Sequence, residues 1–237
     1  MPTVVLVRHG RTAANAGGVL AGHTPGVVLD DRGREQAAAA GERLAAVPLA
    51  AVISSPLERT RETADAIAAA HSPAPPLHLD DRVAEPHYGD WTGKKLTILA
   101  KDPLWKVVQA HPSAVVFPGD GGEAMAAMST RAVSAVRDWN TRLEADHGPD
   151  AVFVVVSHGD VIKAITADAL GLHLDQFQRL QVDPCSFTII RYTDLRPFVV
   201  RTNDVGGSLD VLLPPKKPAT KRRRRSSDAA VGGGAGD

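Results

Sequence analysis

The sequence predicts an α/β protein: a mostly parallel central sheet covered by helices on both faces, forming a three-layer α/β/α sandwich. Three observations carry that prediction. Short, uninterrupted apolar runs occur at Thr3–Val7, Ala50–Ile53 and Ala151–Val156. Strands buried on both faces read this way, whereas a strand with one wet face would alternate. Between these runs lie longer segments with apolar residues at helical spacing, so strands and helices alternate as βαβ units. Finally, 237 residues with a 43% hydrophobic fraction supply enough material for one large domain with its own core.

Taken in order, Thr3–Val7 is a strand leaving into Arg8-His9-Gly10. Asp31–Val47 is helical, with Asp30 or Asp31 as its cap. Ala50–Ile53 is a second strand, ended by Ser54-Ser55-Pro56, and Pro56 suits the first turn of a helix over Leu57–Ala70. Ser72–Pro86 is Pro-rich, with a short extended piece at Leu77–Leu79. Residues 94–121 are irregular, broken by Pro103, Pro112 and Pro118. A long helix is predicted over Gly122–Glu144, then the Ala151–Val156 strand, a helix over Val161–Leu170, and strands at Ser186–Arg191 and Phe198–Arg201. This places the domain at residues 1–213, with 94–121 as a cap insertion and 214–237 as a disordered basic tail.

The composition excludes several classes. No stretch approaches the roughly 18 consecutive apolar residues of a membrane span. The apolar run near the N-terminus lacks a preceding basic region, so a secretory signal is not expected and a cytoplasmic location is. One cysteine, Cys185, permits neither a disulfide framework nor a Cys-rich zinc site. The 27 basic and 27 acidic residues cancel, but unevenly: from Pro214 onward seven basic residues face two acidic ones, leaving residues 1–213 at a net charge of about −5. The run Lys221–Arg225 offers salt-dependent attraction to nucleic acid. It has no aromatic partner for base stacking, so a solvated tail is the preferred reading.

Two apolar strands each end in a histidine followed by glycine: Arg8-His9-Gly10 and Ser157-His158-Gly159. In open α/β sheets ligands bind beyond the carboxyl ends of strands, so both imidazoles can reach one site. A third strand leads into Ser55-Pro56-Leu57-Glu58-Arg59, which sets Arg59 in the first turns of a helix. Free N–H donors and a guanidinium fork at that end match phosphate oxygens. Arg61 is read instead as a surface residue pairing with Glu58, Glu62 or Asp65.

These motifs together resemble the histidine phosphatase superfamily, which includes the cofactor-dependent phosphoglycerate mutases. The matching segments are Arg8-His9-Gly10-Arg11-Thr12 with Asn15, Leu29–Ala37 (LDDRGREQA), Ser55…Arg59…Thr63-Ala64, Glu85–Gly93 (EPHYGDWTG) and Val156-Ser157-His158-Gly159. Within the superfamily the chain looks closest to a branch from high-GC bacteria that carries phosphomutase and acid-phosphatase labels. The resemblance implies that His9 is a nucleophile forming a phosphohistidine. It implies a phosphate pocket of Arg8, Arg59 and His158, supported by Asn15, Gly22 and Gly159, with Glu85 as proton donor and Tyr88 at a substrate-contacting position. Two arginines and a charged His158 would replace a metal clamp, so no metal and no cofactor are expected.

Both hydrolysis and mutase chemistry use such a phosphohistidine. A mutase must hold a bisphosphorylated intermediate, and the resemblance would then imply 2,3-bisphosphoglycerate as cofactor. Pro86 stands where mutases of this family have arginine, and residues 94–130 offer only Lys94, Lys95, Lys101 and Lys106 before Arg131, with no adjacent arginine pair. Hydrolysis of small phosphomonoesters is therefore the favoured reading. Arg11 adds a positive charge at the pocket rim where many members have Glu. Ala21 leaves a polar contact missing, which His23 can replace unless it serves only the loop. Asp31 substitutes for a usual Thr cap. Trp91, Leu104, Trp105, Val107, Val108 and Phe117 form either an apolar cap wall or ordinary core. Glu123, in a Gly-Gly-Glu segment, brings backbone close to the pocket or favours a helix N-terminus. Strand edges within Ser186–Arg201 suit a homodimer.

Overall fold

A computed structural model describes residues 2–207, 232 and 234. The basic run Lys216–Arg225, and all of the predicted tail except Gly232 and Gly234, lie outside the described residues. The chain runs β1 (Thr3–Arg8), α1 (Ala13–Ala16), α2 (Asp31–Leu44), β2 (Leu49–Ser54), α3 (Glu58–Ala69) and β3 (Leu77–Leu79). It continues with α4 (Leu96–Leu99), α5 (Pro103–Ala110), α6 (Met125–His147), β4 (Val152–Ser157), α7 (Gly159–Ala169), β5 (Phe187–Arg191) and β6 (Phe198–Asp204).

The six strands form one sheet in the order β3-β2-β4-β1-β5-β6. β3, β2, β4 and β1 run parallel, and β5 is antiparallel to both of its neighbours. Alternation along β1 explains the three layers. Val4 and Leu6 join the core on one face, with α6 and α7, through Met128, Val136, Ile162 and Ile165. Val5 and Val7 join the opposite core, with α2 and α3, through Ala37, Leu44, Ala64 and Ile67. A strand that buries both sets of side chains has no position left for a polar residue, which is why β1 and β4 read as unbroken apolar runs.

Several boundaries differ from the sequence reading for local reasons. Pro56 precedes the helix: Leu57 is extended and acts as the N-cap, so α3 opens at Glu58. The long helix begins at Met125 because residues 119–124 are spent in a turn with Gly119 and Gly121 at positive φ, closed by a bridge between Val116 and Ala124. α7 starts at Gly159, directly behind its N-cap His158. Asp30, not Asp31, caps α2 by accepting from Gly33 N (2.8 Å), while exposed Asp31 pairs with Arg34. Trp91, Trp105, Val108 and Phe117 are buried in the α6–α7 core, with Leu104 and Val107 packed against it. Within Ser186–Arg201 only β6 is an edge, since β5 is paired on both sides. No helix among the described residues is long and apolar enough to cross a membrane.

Candidate active site

Sheet register assembles the site. β4 lies between β1 and β2, and parallel pairing sets Arg8 beside Ser157 and Ser54 beside Val156. The residues that follow therefore emerge together. His9 N donates to Ser157 O (3.0 Å) and Ser55 N donates to Val156 O (3.0 Å). The two histidine rings end up 5.2 Å apart, edge to face. The order of the motifs along the chain is thus converted into a cluster beyond three strand ends.

The loop after His9 is clamped by the segment leading into α2. Asp30 N donates to Arg11 O (3.0 Å), and Gln36 Oε1 accepts from Arg11 N (3.0 Å). Gly10 and Gly33 are needed for this approach: a Cβ on Gly10 would stand 2.4 Å from Gly33 O, and one on Gly33 2.0 Å from Arg11 O. Thr63 adds a tie from α3, accepting from Gly10 N (3.1 Å) and donating to Arg59 O (2.8 Å).

His9 is buried, and its Nδ1 lies 2.7 Å from its neighbour's carbonyl, Gly10 O. A carbonyl only accepts, so Nδ1 carries the proton and Nε2 presents its lone pair to the pocket. Burial, with the charge of Arg59 and the other neighbours, holds His9 well below the usual histidine range, so the ring is neutral. Arg59 Nε donates to His9 Nε2 (3.3 Å). Its Nη2 donates to Gly22 O (3.0 Å) and stands 3.3 Å from His158 Nδ1 and 3.5 Å from Glu85 Oε2. Arg59 Nη1 is buried without a hydrogen-bond partner among the described residues, an orphaned donor of the kind an oxyanion would satisfy.

His158 is fully buried, bonded through Nε2 to Ser55 Oγ (2.9 Å), with Nδ1 3.3 Å from Glu85 Oε2. Burial first, and Arg59 next, push it well below the usual histidine range. The expectation of a charged His158 is corrected accordingly: burial and Arg59 favour its neutral form, and the positive charge resides on the two arginines. Arg8 donates to Val182 O (2.9 Å), and burial lowers it only to about 10, so it stays charged at neutral pH.

Glu85 reaches the cluster from the connection after β3. Burial raises its carboxyl above the usual range, against the opposing pull of Arg59. Its backbone is held by Arg131 of α6, whose Nη1 donates to Arg82 O (2.7 Å) and Ala84 O (2.9 Å) while its Nη2 reaches Glu85 O (3.3 Å). Glu123 accepts from Arg131 at 2.7 and 2.9 Å, which is the role this residue takes. His23 Nε2 lies 2.6 Å from Glu85 O, and its ring stacks on His87 with centroids 3.8 Å apart. These two rings, with Asp90, Thr92 and Asp120, line an open recess of about 410 Å³.

His9, Asn15, Arg59 and Glu85 line a common small cavity with Leu20 and Leu96. Arg8 and His158 stand behind them. Asn15 serves chiefly α1, its Oδ1 accepting from Thr12 N (3.1 Å) and Thr12 Oγ1 (2.9 Å). Gly22, at φ 53°, supplies its carbonyl to Arg59. Gly159 is buried at the first turn of α7 but does not line the cavity. Tyr88 does not line this small cavity; it is fully buried, engaged with Glu85 and Asp160, and it borders the adjoining open recess. Arg11 does not line the cavity and pairs with Asp30 (2.8 Å). Of the carboxylates proposed for Arg61, Glu58 also accepts from Gly26 N and Glu62 from Leu29 N, both at 3.0 Å, and the charge of Arg61 favours ionised Glu58. Reading the sequence missed Arg131 and Lys163, which lie in no motif, and Asp160, which directly follows Ser157-His158-Gly159.

His9, Glu85 and His158 bring three potential metal-binding atoms within 4.8 Å of one another. The Arg59 guanidinium stands among them, so a dication would meet a positive charge at hydrogen-bond distance. The arrangement suits an anion.

The profile of the histidine phosphatase superfamily (branch 1) matches residues 4–205. A glucosyl-3-phosphoglycerate phosphatase of Mycolicibacterium vanbaalenii is 35% identical over 178 residues, covering 73% of this chain and 76% of that one. A 2,3-bisphosphoglycerate-dependent phosphoglycerate mutase 2 of Gloeobacter violaceus is 30% identical over 78% of this chain and 83% of its own length. The solved mycobacterial glucosyl-3-phosphoglycerate phosphatase in complex with VO3 superposes with a TM-score of 0.74 at 26% identity, over 85% of this chain and 99% of that one. With the matched residues running from β1 to the end of β6, the chain belongs to the histidine phosphatase superfamily and is an enzyme of the phosphatase kind.

Proposed function

We propose that this enzyme hydrolyses small phosphomonoesters through a phosphohistidine on His9, without metal or cofactor. The observation that carries the reading is the neutral His9 ring with its Nε2 lone pair turned to a pocket of two buried arginines, opposite a carboxyl that burial favours in its protonated form. His9 Nε2 attacks phosphorus, the P–O bond to the alcohol breaks, and Glu85 gives its proton to the departing oxygen. Water then attacks the phosphohistidine, the P–N bond breaks, and Glu85 takes the water's proton. Arg8 and Arg59 supply fixed donors to the equatorial oxygens, which is most of what phosphoryl transfer asks of a protein.

The mutase reading draws on the Gloeobacter relative. Against it, Pro86 offers no guanidinium, and Lys94, Lys95, Lys101 and Lys106 are all exposed and do not line the cavity. One assay separates the two: p-nitrophenyl phosphate with EDTA present, beside conversion of 3-phosphoglycerate to 2-phosphoglycerate with and without 2,3-bisphosphoglycerate. EDTA-resistant hydrolysis without isomerisation is expected. Efficient bisphosphoglycerate-dependent isomerisation would overturn the hydrolase reading.

Two further results are expected. The acid, Glu85, is raised and the nucleophile, His9, is lowered, and both shifts widen the pH range in which Glu85 is protonated while His9 is neutral. kcat/KM on p-nitrophenyl phosphate, corrected for the substrate's own ionisation, should rise as pH falls from 8 and hold until well below 6.5. A maximum above pH 8 would exclude these assignments. The second concerns the C-terminal segment. Gly232 and Gly234 turn their carbonyls to Arg8 Nη2, Gly232 at 3.3 Å, and both line the cavity. A phosphoryl oxygen competes for that donor. A chain ending at residue 213 should therefore show a KM lower by about tenfold with kcat little changed, the worth of one charge-assisted hydrogen bond of about 1.5 kcal/mol. An unchanged KM would show that the segment does not compete in solution.

A further inference from the structure

Behind Glu85 lies a buried chain of polar groups that the reaction above leaves unused. Tyr88 Oη is 3.0 Å from Glu85 Oε1 and 3.2 Å from Asp160 Oδ2. Asp160 Oδ1 is 3.7 Å from Lys163 Nζ, one turn on along α7, and Lys163 donates to Gln178 Oε1 (3.0 Å). Tyr88, Asp160 and Lys163 are 0%, 1% and 3% exposed, so solvent does not screen them.

The proton count is decisive. A tyrosine hydroxyl has one proton and can donate to only one carboxylate at a time. Burial keeps Tyr88 from ionising. If Glu85 and Asp160 were both ionised, one of the two short contacts would set a hydroxyl lone pair against a carboxylate. Both contacts are hydrogen bonds only when the two carboxyls hold at least one proton between them. That proton sits on Glu85, donated to Tyr88 Oη, or on Asp160, with Tyr88 turned to Glu85. Burial raises Asp160 as it raises Glu85, and at Asp160 the Lys163 ammonium and Gly232 N, which donates to the same carboxylate (3.0 Å), oppose that rise.

We propose that Asp160, held by Lys163, acts through Tyr88 as a positioning residue that keeps the acid proton on Glu85. The role as acid rests on the proposed function; the shared proton does not. The other groups facing Glu85 are Arg8 from β1, Arg59 from α3, His9 and His158, His23 at its carbonyl and Arg131 from α6. Arg59 and Arg8 favour the ionised carboxylate, so a counterweight is needed, and Asp160 is the buried anion placed to supply it. With Glu85 protonated, one fewer negative charge offsets Arg8 and Arg59, which leaves more of their charge for a phosphoryl dianion.

The test is the titration of Glu85 in the full chain, followed by NMR of carboxyl-labelled glutamate and assigned with Glu85→Gln, beside the pH profile of p-nitrophenyl phosphate hydrolysis. Asp160→Asn removes the counterweight and strands Lys163, so the Glu85 midpoint and the alkaline limb of kcat/KM should both move down by about one pH unit or more. Asp160→Asn with Lys163→Met removes both charges and should return the midpoint toward the parent value, which loss of packing would not do. Lys163→Met alone should shift the shared proton to Asp160 and lower kcat/KM at neutral pH. If Asp160→Asn does not fold, Lys163→Met carries the test by the same NMR readout. A Glu85 midpoint unmoved in the variants would overturn the proposal. A midpoint that moves in a protein with no hydrolysis would instead overturn the proposed function and leave the proton coupling standing.

Discussion

Replacing His9 by alanine is expected to abolish turnover of p-nitrophenyl phosphate, a loss of about 10⁴-fold or more in kcat/KM, with the fold retained. The magnitude follows from removing the atom to which phosphorus transfers: the residual rate is then only what the arginines and positioning can give. The fold should survive because His9 makes few attachments. Gly10 O loses one donor and Arg59 Nε one acceptor, a cost of about 1–3 kcal/mol, while β1 keeps its pairing to β4 and β5. Steady-state kinetics beside thermal unfolding checks both halves. Activity within about tenfold of the parent would remove His9 from the chemistry.

Arg59→Ala comes second, with an expected loss of about 10²–10³ in kcat, comparable to deleting one preorganised donor of a developing charge. It should also move the pH profile in a defined direction. Arg59 is the strongest charge holding His9 and His158 down and the strongest opposing the rise of Glu85. Without it all three shift upward, so both limbs of the profile move to higher pH. Arg59→Lys should restore charge but little rate, since Nε and Nη2 already donate in separate directions, Nη1 is left for an oxyanion, and an ammonium cannot span the three. A full rescue by lysine, or a profile that stays in place, would show that the planar fork is not what the site needs.

The layers of the fold were legible because the central strands β1 and β4 are buried on both faces, while helices such as α2 and α3 bury one face only. Apolar runs at Thr3–Val7 and Ala151–Val156 admit no other reading once helical periods separate them. Most of the site was legible too, because its residues immediately follow strands or open helices, so short motifs mark them: His9 after β1, Arg59 in the first turn of α3, His158 after β4. Element ends were less legible. At α6 the glycines at 119 and 121 take positive φ and delay the helix, a choice made by close packing of the turn against Asp90 and Phe117.

Orientation and protonation lay outside the reach of the sequence. Tyr88 and Arg11 sit in matching motifs, yet one turns inward to two carboxyls and the other to Asp30. His158 loses the charge expected of it because burial and Arg59 act together, and neither is visible in Val-Ser-His-Gly. Arg131 and Asp160 belong to helices whose neighbours in space are tens of residues away in sequence. The sequence by itself determined which residue types stand at which strand ends, because hydrophobic period and local turn chemistry act over a few residues. Only the tertiary structure decided which of them are charged and which share a proton, because desolvation and Coulomb coupling depend on distance and burial that long-range packing alone creates.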